Sequence, residues 1–306
     1  MVLSSNNIPD SKGINAYLRD KSFSKLLEYY CGKELFERVE NKFIELGEVV
    51  GSELEELALS ADKNPPKLKK RSRVGELSND IEKHPDFIKI EKFAFEKFGL
   101  AAMSHRHGVL GMQQPLPPIV KYGLTFLFVQ SEFGLCCPLS MTDSLTRTLT
   151  KFGDKKLIEQ FFDQLTSQDL DHLFQGAMFM TEQHAGSDVG SIDTYAEYED
   201  GNWFLTGDKW FCSNPDADLA MVLARHNKTI SGTKGLALFL LPKKLENGNQ
   251  NNYEIIRLKD KLGGRSFASG EIKLNRAFAY LVGNPDEGFK QMTDMINMSR
   301  LSNGVR

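Results

Sequence analysis

Two stretches in the middle of the chain decide the fold: MFMTEQHAGSDVG at residues 178–190 and GDKWFCSN at residues 207–214. In each of them a short β-prone run passes into small or hydroxyl-bearing residues. Glycine lets a ligand approach the backbone closely, and serine and threonine add hydroxyl donors. The residues alone therefore predict a polar ligand loop on a β scaffold. Ordinary β-turns that satisfy the same hydroxyl groups are the alternative.

The composition is that of an ordinary globular protein and argues against several classes of function. The chain has 306 residues, of which 41% are hydrophobic and 26% charged, and a net charge of -3. This charge gives no global attraction to nucleic acid or to an anionic membrane. The apolar stretches are too short to span a bilayer, and the polar start lacks a signal-peptide core. Four cysteines without a CxxC pattern or a disulfide framework predict a reducing, cytoplasmic location.

Hydrophobic spacing divides the chain into helical, β and again helical parts. Apolar residues recur every three or four positions in four segments, which predicts helices at 21–61, 87–98, 119–132 and 157–165. Between 176 and 281, alternating and short buried runs predict strands, with a tight hairpin at Asp200-Gly201. Helical spacing resumes after Gly283. The sequence Asn64-Pro65-Pro66 ends the first helical segment, and the basic run at 67–73 is predicted to be a solvated linker.

This order of elements predicts an α+β protein with segregated domains rather than a doubly wound sheet. The predicted division is a helical extension (1–63), a helical domain (64–171), an antiparallel, barrel-like β domain (172–283) and the start of another helical domain (284–306). No GxGxxG opens a helix after a strand, which argues against a Rossmann site. The last segment, 284–306, has an apolar face, and none of the other predicted helices is expected to pack against it. We expect that face to be exposed and the chain to self-associate through Phe289, Met292, Met295 and Ile296.

The two stretches, followed by LKDKLGGRSFAS at residues 258–269, resemble three landmarks of the acyl-CoA dehydrogenase family in their correct order. The resemblance covers residues 64–306 and is closest in the AidB-like branch. The NPP, CPxxMT and LKDKLG segments of that branch recur at 64–66, 137–142 and 258–263. The resemblance implies an N-terminal helical domain, a middle β domain and a C-terminal four-helix domain, with FAD between the last two. It also implies α,β-dehydrogenation of an acyl-CoA thioester, with hydride transfer to FAD.

Position by position, the resemblance implies contacts with the flavin ring. Met180 and Thr181 would place backbone and hydroxyl groups against the pyrimidine edge, and Phe211 and Ser213 would cover the ring and meet its N5 side. Such a slot suits hydride transfer, because an aromatic wall excludes water and fixed donors stabilise charge on the reduced flavin.

The other carried-over residues leave alternatives open. Gly186 and Ser187 would contact the pyrophosphate of FAD or line the acyl-thioester cleft. Arg265 is either a phosphate contact, through its planar guanidinium, or a partner in a surface ion pair. Glu182 occupies a position that the family uses structurally, so we do not expect it to act as a base. The histidines lack neighbours at metal-ligand spacing, and no metal is predicted.

The general base for dehydrogenation is missing from the carried-over residues. A base must take the α-proton while hydride leaves to the flavin. The family supplies a glutamate from one of two places, of which the first corresponds to Ser299 and the second lies beyond Arg306. We therefore expect no catalytic residue in this chain and no activity of the chain by itself. The chain would be a truncated product, the product of a frameshifted gene, or half of a two-chain protein. In the last case a second polypeptide would complete it, and the completed protein would form a homo-oligomer.

The alternative function is that of a non-catalytic, AidB-like protein of the stress response that associates with flavin or DNA. The basic run at 67–73 supports this alternative only weakly, because no aromatic residues interleave with the basic ones. The expected partner is therefore an acyl-CoA thioester, with nucleic acid as the weaker alternative and no membrane association.

Overall fold

A computed structural model describes residues 11–306, and most of its helices precede the large sheet. These helices are α1 (Lys21–Cys31), α2 (Lys33–Val50), α3 (Glu53–Lys63), α4 (Pro85–Glu91), α5 (Pro118–Phe128), α6 (Cys136–Phe152) and α7 (Lys155–Leu165), and a π-helical turn, Lys92–Lys97, continues α4. The predicted helical segment 21–61 is divided by glycines. Gly32, at φ 74°, separates α1 from α2, because a left-handed residue ends an α-helix.

The first helices share one apolar core. Phe43 and Leu46 of α2 and Leu124 of α5 are fully buried within it. Gly123 lets α5 approach closely, since a Cβ at this position would lie 2.9 Å from the side chains of Leu27 and Phe43. Among the described residues, no helix has the length and apolar character needed to cross a membrane.

The strands form a hairpin and a seven-stranded sheet. They are β1 (Lys67–Arg71), β2 (Leu77–Glu82), β3 (Gly176–Phe179), β4 (Tyr195–Glu199), β5 (Asn202–Ser213), β6 (Leu219–Arg225), β7 (Leu236–Pro242), β8 (Tyr253–Leu258) and β9 (Ser269–Val282). The large sheet has the order β3-β6-β4-β5-β9-β7, with β8 on β9, and pairing of β6 with β7 closes it into a barrel. Asp200 and Gly201, both at positive φ, make the predicted hairpin between β4 and β5.

The α+β class and the helix–sheet–helix order are confirmed, but the sheet is mixed rather than purely antiparallel. Strand β3 pairs with β6 in parallel over four residues, and a single parallel pair joins β4 to β6. The reason is connectivity. Strand β3 follows a helix and joins β6 only after a long excursion, whereas antiparallel neighbours are typically joined by short turns. The domain limits given above stay a prediction.

The basic run at 67–73 is a strand, not an irregular linker. Strand β1 pairs with β2 in antiparallel register, and Asn79 of β2 bonds the backbone of Tyr253 and Ile255 in β8. Acidic side chains offset part of the charge: Lys69 meets Glu82 at 3.2 Å, and Lys70 meets Glu254 at 3.8 Å. Because the residues of β1 are basic and mostly exposed, no apolar pattern marks this strand in the sequence.

Helix α6 is absent from the sequence-based prediction, because the segment contains Pro138 and is rich in hydroxyl residues. Proline is tolerated in the first turn of a helix, where its missing N–H has no partner in any case. The hydroxyls of Thr142, Thr146 and Thr150 each donate to the carbonyl four residues earlier, at 2.8–2.9 Å. They therefore stay satisfied inside the helix.

The last helix, α8 (Gly288–Val305), corrects the expectation of an exposed apolar face. Met292 and Met295 are fully buried, and Phe289 and Ile296 are partly buried against the same cluster. This face packs on α6 and β7, and Lys151 of α6 bonds Asp294 at 3.0 Å. The expectation was wrong because the unrecognised helix α6 supplies the partner, so self-association through this face has no basis.

Helices α5 and α6 and the segment before α5 share a buried polar cluster. The Asp143 carboxylate accepts from Lys121 Nζ and lies near His105 Nε2, each at 2.7 Å. The side chains of Lys121 and Asp143 are only 5% and 9% exposed. Burial raises the pKa of the Asp143 carboxyl, but His105 and Lys121 together bring it below its ordinary value. The carboxylate is therefore the neutralising partner of a buried ammonium.

We predict that Asp143→Ala lowers the free energy of unfolding by about 3–5 kcal/mol, because it leaves the Lys121 ammonium buried without a counter-ion. Urea unfolding followed by circular dichroism measures this change. Glu37→Ala is the control, since Glu37 pairs with Lys33 at 3.9 Å on an open helix surface. The control should change stability little. Equal effects of the two substitutions would show that the buried cluster is not a stabilising unit.

Candidate functional site

The two decisive stretches lie side by side where β3 ends and β5 passes. The Thr181 carbonyl accepts from the Trp210 amide at 2.8 Å, and Lys209 Nζ donates to the Met180 carbonyl at 3.3 Å. Met180 and Thr181 are both partly buried. The structure thus brings together Met180, Thr181 and the strand that carries Phe211, although these residues are about thirty positions apart in the sequence.

Phe211 projects outward from a break in the β5 ladder. The register with β9 shifts between Lys209 and Cys212, and Phe211 itself has φ 55°, which is rare for an aromatic residue. A bulge of this kind re-aims a side chain, and strained backbone is often found at functional sites. The ring of Phe211 is 63% exposed although it lies within a strand. It forms an aromatic surface that a planar ligand can cover.

A lysine and an arginine support this aromatic surface from β8 and the segment after it. Lys259 Nζ lies 3.3 Å from the ring centroid of Trp210 and 4.4 Å from that of Phe211. The Glu271 carboxylate accepts from Lys259 at 3.0 Å and from Arg257 at 2.8 Å. Cation–π contacts of this type stabilise an aromatic ring in one orientation. Sequence reasoning missed Lys259, because only the chain fold brings it to Trp210.

Ser213 stands at the end of β5 opposite Ser269 of β9. Their hydroxyl oxygens are 3.5 Å apart, and the Asn214 amide donates to the Ala268 carbonyl at 3.0 Å. The Cys137 thiol, in the first turn of α6, lies near Ser213. Burial raises the pKa of this thiol, while Arg306, Ser213 and Lys261 oppose the rise. Cys137 is therefore a neutral thiol beside Ser213.

A buried ion pair anchors the loop that follows Thr181. Glu182 Oε1 accepts from Lys209 Nζ at 2.7 Å, and the same carboxylate accepts from the amides of Asp193 and Thr194. The Lys209 side chain is fully buried. Burial raises the pKa of Glu182, but the Lys209 charge and these hydrogen bonds bring it below its ordinary value. Glu182 is thus a saturated, ionised anchor, in agreement with the structural role expected for it.

Gly186 and Ser187 lie at the exposed tip of this anchored loop. Nothing stands within 4 Å of a Cβ placed on Gly186, and among residues 11–306 Ser187 has no hydrogen-bond partner. The loop is shaped locally by Asp188, whose carboxylate accepts from the Gly190 amide at 3.1 Å. The structure therefore leaves both residues accessible. Their contact with a pyrophosphate or an acyl thioester stays a prediction.

The third stretch lines a cavity of about 210 Å³ next to Ser269. Its wall is partly cationic, since Lys259, Lys261 and Arg265 face it. The Arg265 amide donates to the Asp62 carboxylate at 2.9 Å, while its exposed side chain has no ion-pair partner in the part of the chain that the structure describes. Among the described residues Arg265 thus forms no surface ion pair, and its phosphate contact stays a prediction. Across the described residues, no cluster of three His, Cys, Asp or Glu side chains is arranged to hold a metal ion.

Sequence comparisons agree with this arrangement. The family model of the acyl-CoA dehydrogenase middle domain matches residues 177–277, and that of the N-terminal domain of the adaptive response protein AidB matches residues 6–172. The chain therefore belongs to the acyl-CoA dehydrogenase family, an FAD-dependent class of oxidoreductases acting on CH–CH bonds, with an AidB-type N-terminal region.

Curated relatives are similar along most of this chain. Acyl-CoA dehydrogenase family member 11 of Caenorhabditis elegans is 31% identical over 300 residues, which are 95% of this chain and 48% of the relative. Putative acyl-CoA dehydrogenase AidB of Escherichia coli is 32% identical over 268 residues, 83% of this chain and 47% of the relative. The chain thus spans about half the length of these relatives.

Solved structures show the same fold. The crystal structure of Caenorhabditis elegans ACDH-11 in complex with C11-CoA superposes with a TM-score of 0.86 and 28% identity, covering 100% of this chain and 53% of that one. Butyryl-CoA dehydrogenase from Megasphaera elsdenii has a TM-score of 0.63 and 18% identity over 98% of this chain and 65% of that one. The second likeness concerns the fold alone.

We predict that Lys209→Met destabilises the protein by about 3–5 kcal/mol near neutral pH, because it leaves the Glu182 carboxylate buried without its cation. The pH dependence of the free energy of unfolding should be opposite in Lys209→Met and in the wild type. In the wild type, Glu182 has a lowered pKa, so its stabilising contribution is present above the unfolded pKa and is lost as the pH falls. Without Lys209, burial raises that pKa above the unfolded value, and acidification should restore part of the stability.

Urea unfolding of both proteins between pH 4 and pH 8 measures this reversal. The double variant Glu182→Gln/Lys209→Met is the control, because it carries neither charge and should be more stable than Lys209→Met at pH 8. A Lys209→Met protein that weakens on acidification as the wild type does would contradict the assigned ion pair.

Proposed function

We propose that these residues form the flavin-facing half of an acyl-CoA dehydrogenase, which removes hydrogen from the α and β carbons of an acyl-CoA thioester. The observation that carries the proposal is the exposed ring of Phe211. A strained bulge projects it, Lys259 supports it, and the partly buried Ser213 follows it on the same strand. Burial of a large aromatic ring is the ordinary outcome in a β domain, so its exposure here points to a planar ligand.

The residues present fit FAD as that ligand. Phe211 offers an aromatic wall, while Thr181 and Ser213 offer hydroxyl groups on neighbouring segments. The exposed loop with Gly186 and Ser187 leaves a backbone that a diphosphate can approach, since no side chain fills the space above Gly186. When bound, FAD would accept the hydride from the substrate. The protein groups would hold the ring, keep water from one of its faces and donate hydrogen bonds to it.

Proton removal is the part of the reaction that these residues do not perform. Glu182, a carboxylate of the first decisive stretch, is already bound by Lys209 and by the amides of Asp193 and Thr194. Glu271 is likewise bound by Arg257 and Lys259. Ser299 occupies the position at which some members of the family carry their base, and a serine cannot take an α-proton without a base of its own. We propose that residues 1–306 by themselves are inactive, because they do not supply the carboxylate that takes the α-proton.

A non-catalytic role of the AidB type in the cytoplasm is the second candidate. The free cysteines among the described residues are compatible with a reducing compartment. The basic hairpin gives little support to nucleic-acid binding, because Glu82 and Glu254 offset part of its charge. Flavin binding without any acyl-CoA oxidation, even after a base is supplied, would favour this candidate.

We predict that Thr181→Val and Ser213→Ala each weaken FAD binding about fivefold, since a neutral hydrogen bond contributes about 1 kcal/mol. Fluorescence titration of FAD with the purified protein measures the dissociation constants. Thr150→Val and Ser22→Ala, on exposed helix surfaces, are matched controls that should leave the affinity unchanged. Unchanged binding by both site variants would refute the assignment of these residues.

We also predict that the isolated chain shows no saturable oxidation of acyl-CoA substrates with an artificial electron acceptor. A positioned general base contributes about a hundredfold to ten-thousandfold in rate, and Ser299 does not supply one. Ser299→Glu is the informative variant, because it places a carboxylate at the family position and should raise the rate above that of the wild type. Saturable turnover by the wild type would identify another base and overturn this part of the proposal.

A further inference from the structure

Ser213, Ser269 and Lys261 form a row of polar groups that leads away from the proposed ligand surface. Ser213 and Ser269 are register partners on β5 and β9, with their hydroxyl oxygens 3.5 Å apart. Lys261 Nζ lies 3.4 Å from Ser269 Oγ and donates to the Phe267 carbonyl at 2.7 Å. The same ammonium stands 3.3 Å from the ring centroid of Phe267, which fixes its position.

The donor and acceptor capacities of these groups set the direction of the row. An ammonium only donates, so Ser269 must accept from Lys261. A hydroxyl carries one proton and two lone pairs, so Ser269 accepts from Lys261 and keeps its own proton available for Ser213. Ser213 accepts it and has its own proton left for another acceptor. That proton is then available to a ring nitrogen or oxygen of a bound ligand.

We propose that Lys261 is a positioning residue which, through Ser269, makes Ser213 a hydrogen-bond donor toward the bound ligand. The ligand must then present an acceptor atom at this point, as the oxidised flavin ring does. The identity of the ligand rests on the proposed function, whereas the direction of donation rests on Lys261 and Ser269 alone.

Donation from Ser213 toward the ligand depends on pH, because it depends on the charge of Lys261. Burial lowers the pKa of Lys261 to about 8, against the opposing influence of Cys137 from α6 and Asp62 from α3. Lys259, Asp260 and Arg265 face the same cavity, and Arg306 lies beside Cys137. Below this pKa the ammonium keeps Ser269 an acceptor. Above it the neutral amine can accept from Ser269, so Ser213 is no longer held as an outward donor.

Fluorescence titration with FAD at pH 7 and pH 9 tests the role in ligand binding. The dissociation constant of the wild type should rise about fivefold between the two pH values, the equivalent of one hydrogen bond. Lys261→Met should bind FAD weakly at both, and Lys261→Arg, which stays charged, should bind tightly at both. Lys273→Met, an exposed lysine on β9, is the matched control and should behave as the wild type. Equal affinity of the wild type and Lys261→Met at pH 7 would overturn the proposal.

A flavin-free measurement separates this inference from the proposed function. NMR of ¹³C-methylated lysines gives the pKa of Lys261, assigned from the Lys261→Arg variant. Ser269→Ala should lower that pKa, because the ammonium loses an acceptor, and Ser213→Ala should lower it less. An unchanged pKa in Ser269→Ala overturns the row of donors whether or not flavin binds. If the two serine variants change the Lys261 pKa as expected but the wild type binds no FAD, the proposed function is overturned instead.

Discussion

The buried ion pair between Glu182 and Lys209 is the interaction on which the rest of the site depends. Lys209 lies on β5 just before the bulge, and Glu182 follows the segment that meets β5. The pair therefore connects the two decisive stretches across the barrel wall. Because a buried charge without its partner is very unfavourable, neither stretch can move without the other. Hydrogen bonds from Asp193 and Thr194 extend the same constraint to the far end of the exposed loop.

This constraint explains how a strained residue can persist beside it. A left-handed backbone at a phenylalanine costs on the order of 1–3 kcal/mol and persists only where surrounding contacts hold it in place. Lys209 fixes one side of the bulge, and the ladder between Cys212 and Gly270 resumes on the other side. Lys259 and Glu271 then hold the Trp210 and Phe211 rings in position. The Glu182–Lys209 ion pair and the contacts of the aromatic surface thus together hold the strained backbone of Phe211.

The parts that could be predicted from the sequence are those with local signals. The hairpin at Asp200-Gly201 and the buried strands β6 and β7 follow from short patterns, whereas the two decisive stretches are linked only by the family resemblance. Helix α6 could not be predicted, because its hydroxyl residues satisfy themselves within the helix and conceal its apolar face. The burial of Met292 and Met295 was missed for the same reason. Lys259 and the row from Lys261 to Ser213 depend on strand register, and no local pattern encodes it.

The distribution of charge around the aromatic surface bears on the two halves of the proposed dehydrogenation, electron acceptance and proton removal. Two carboxylates of the site, Glu182 and Glu271, are each bound by basic side chains and are therefore poor proton acceptors. Lys261 has no carboxylate within ion-pair distance among the described residues, so its positive charge is not cancelled locally. An uncancelled cation stabilises a ligand that gains negative charge on reduction. The arrangement therefore suits electron acceptance, and a carboxylate base has to come from elements other than these strands.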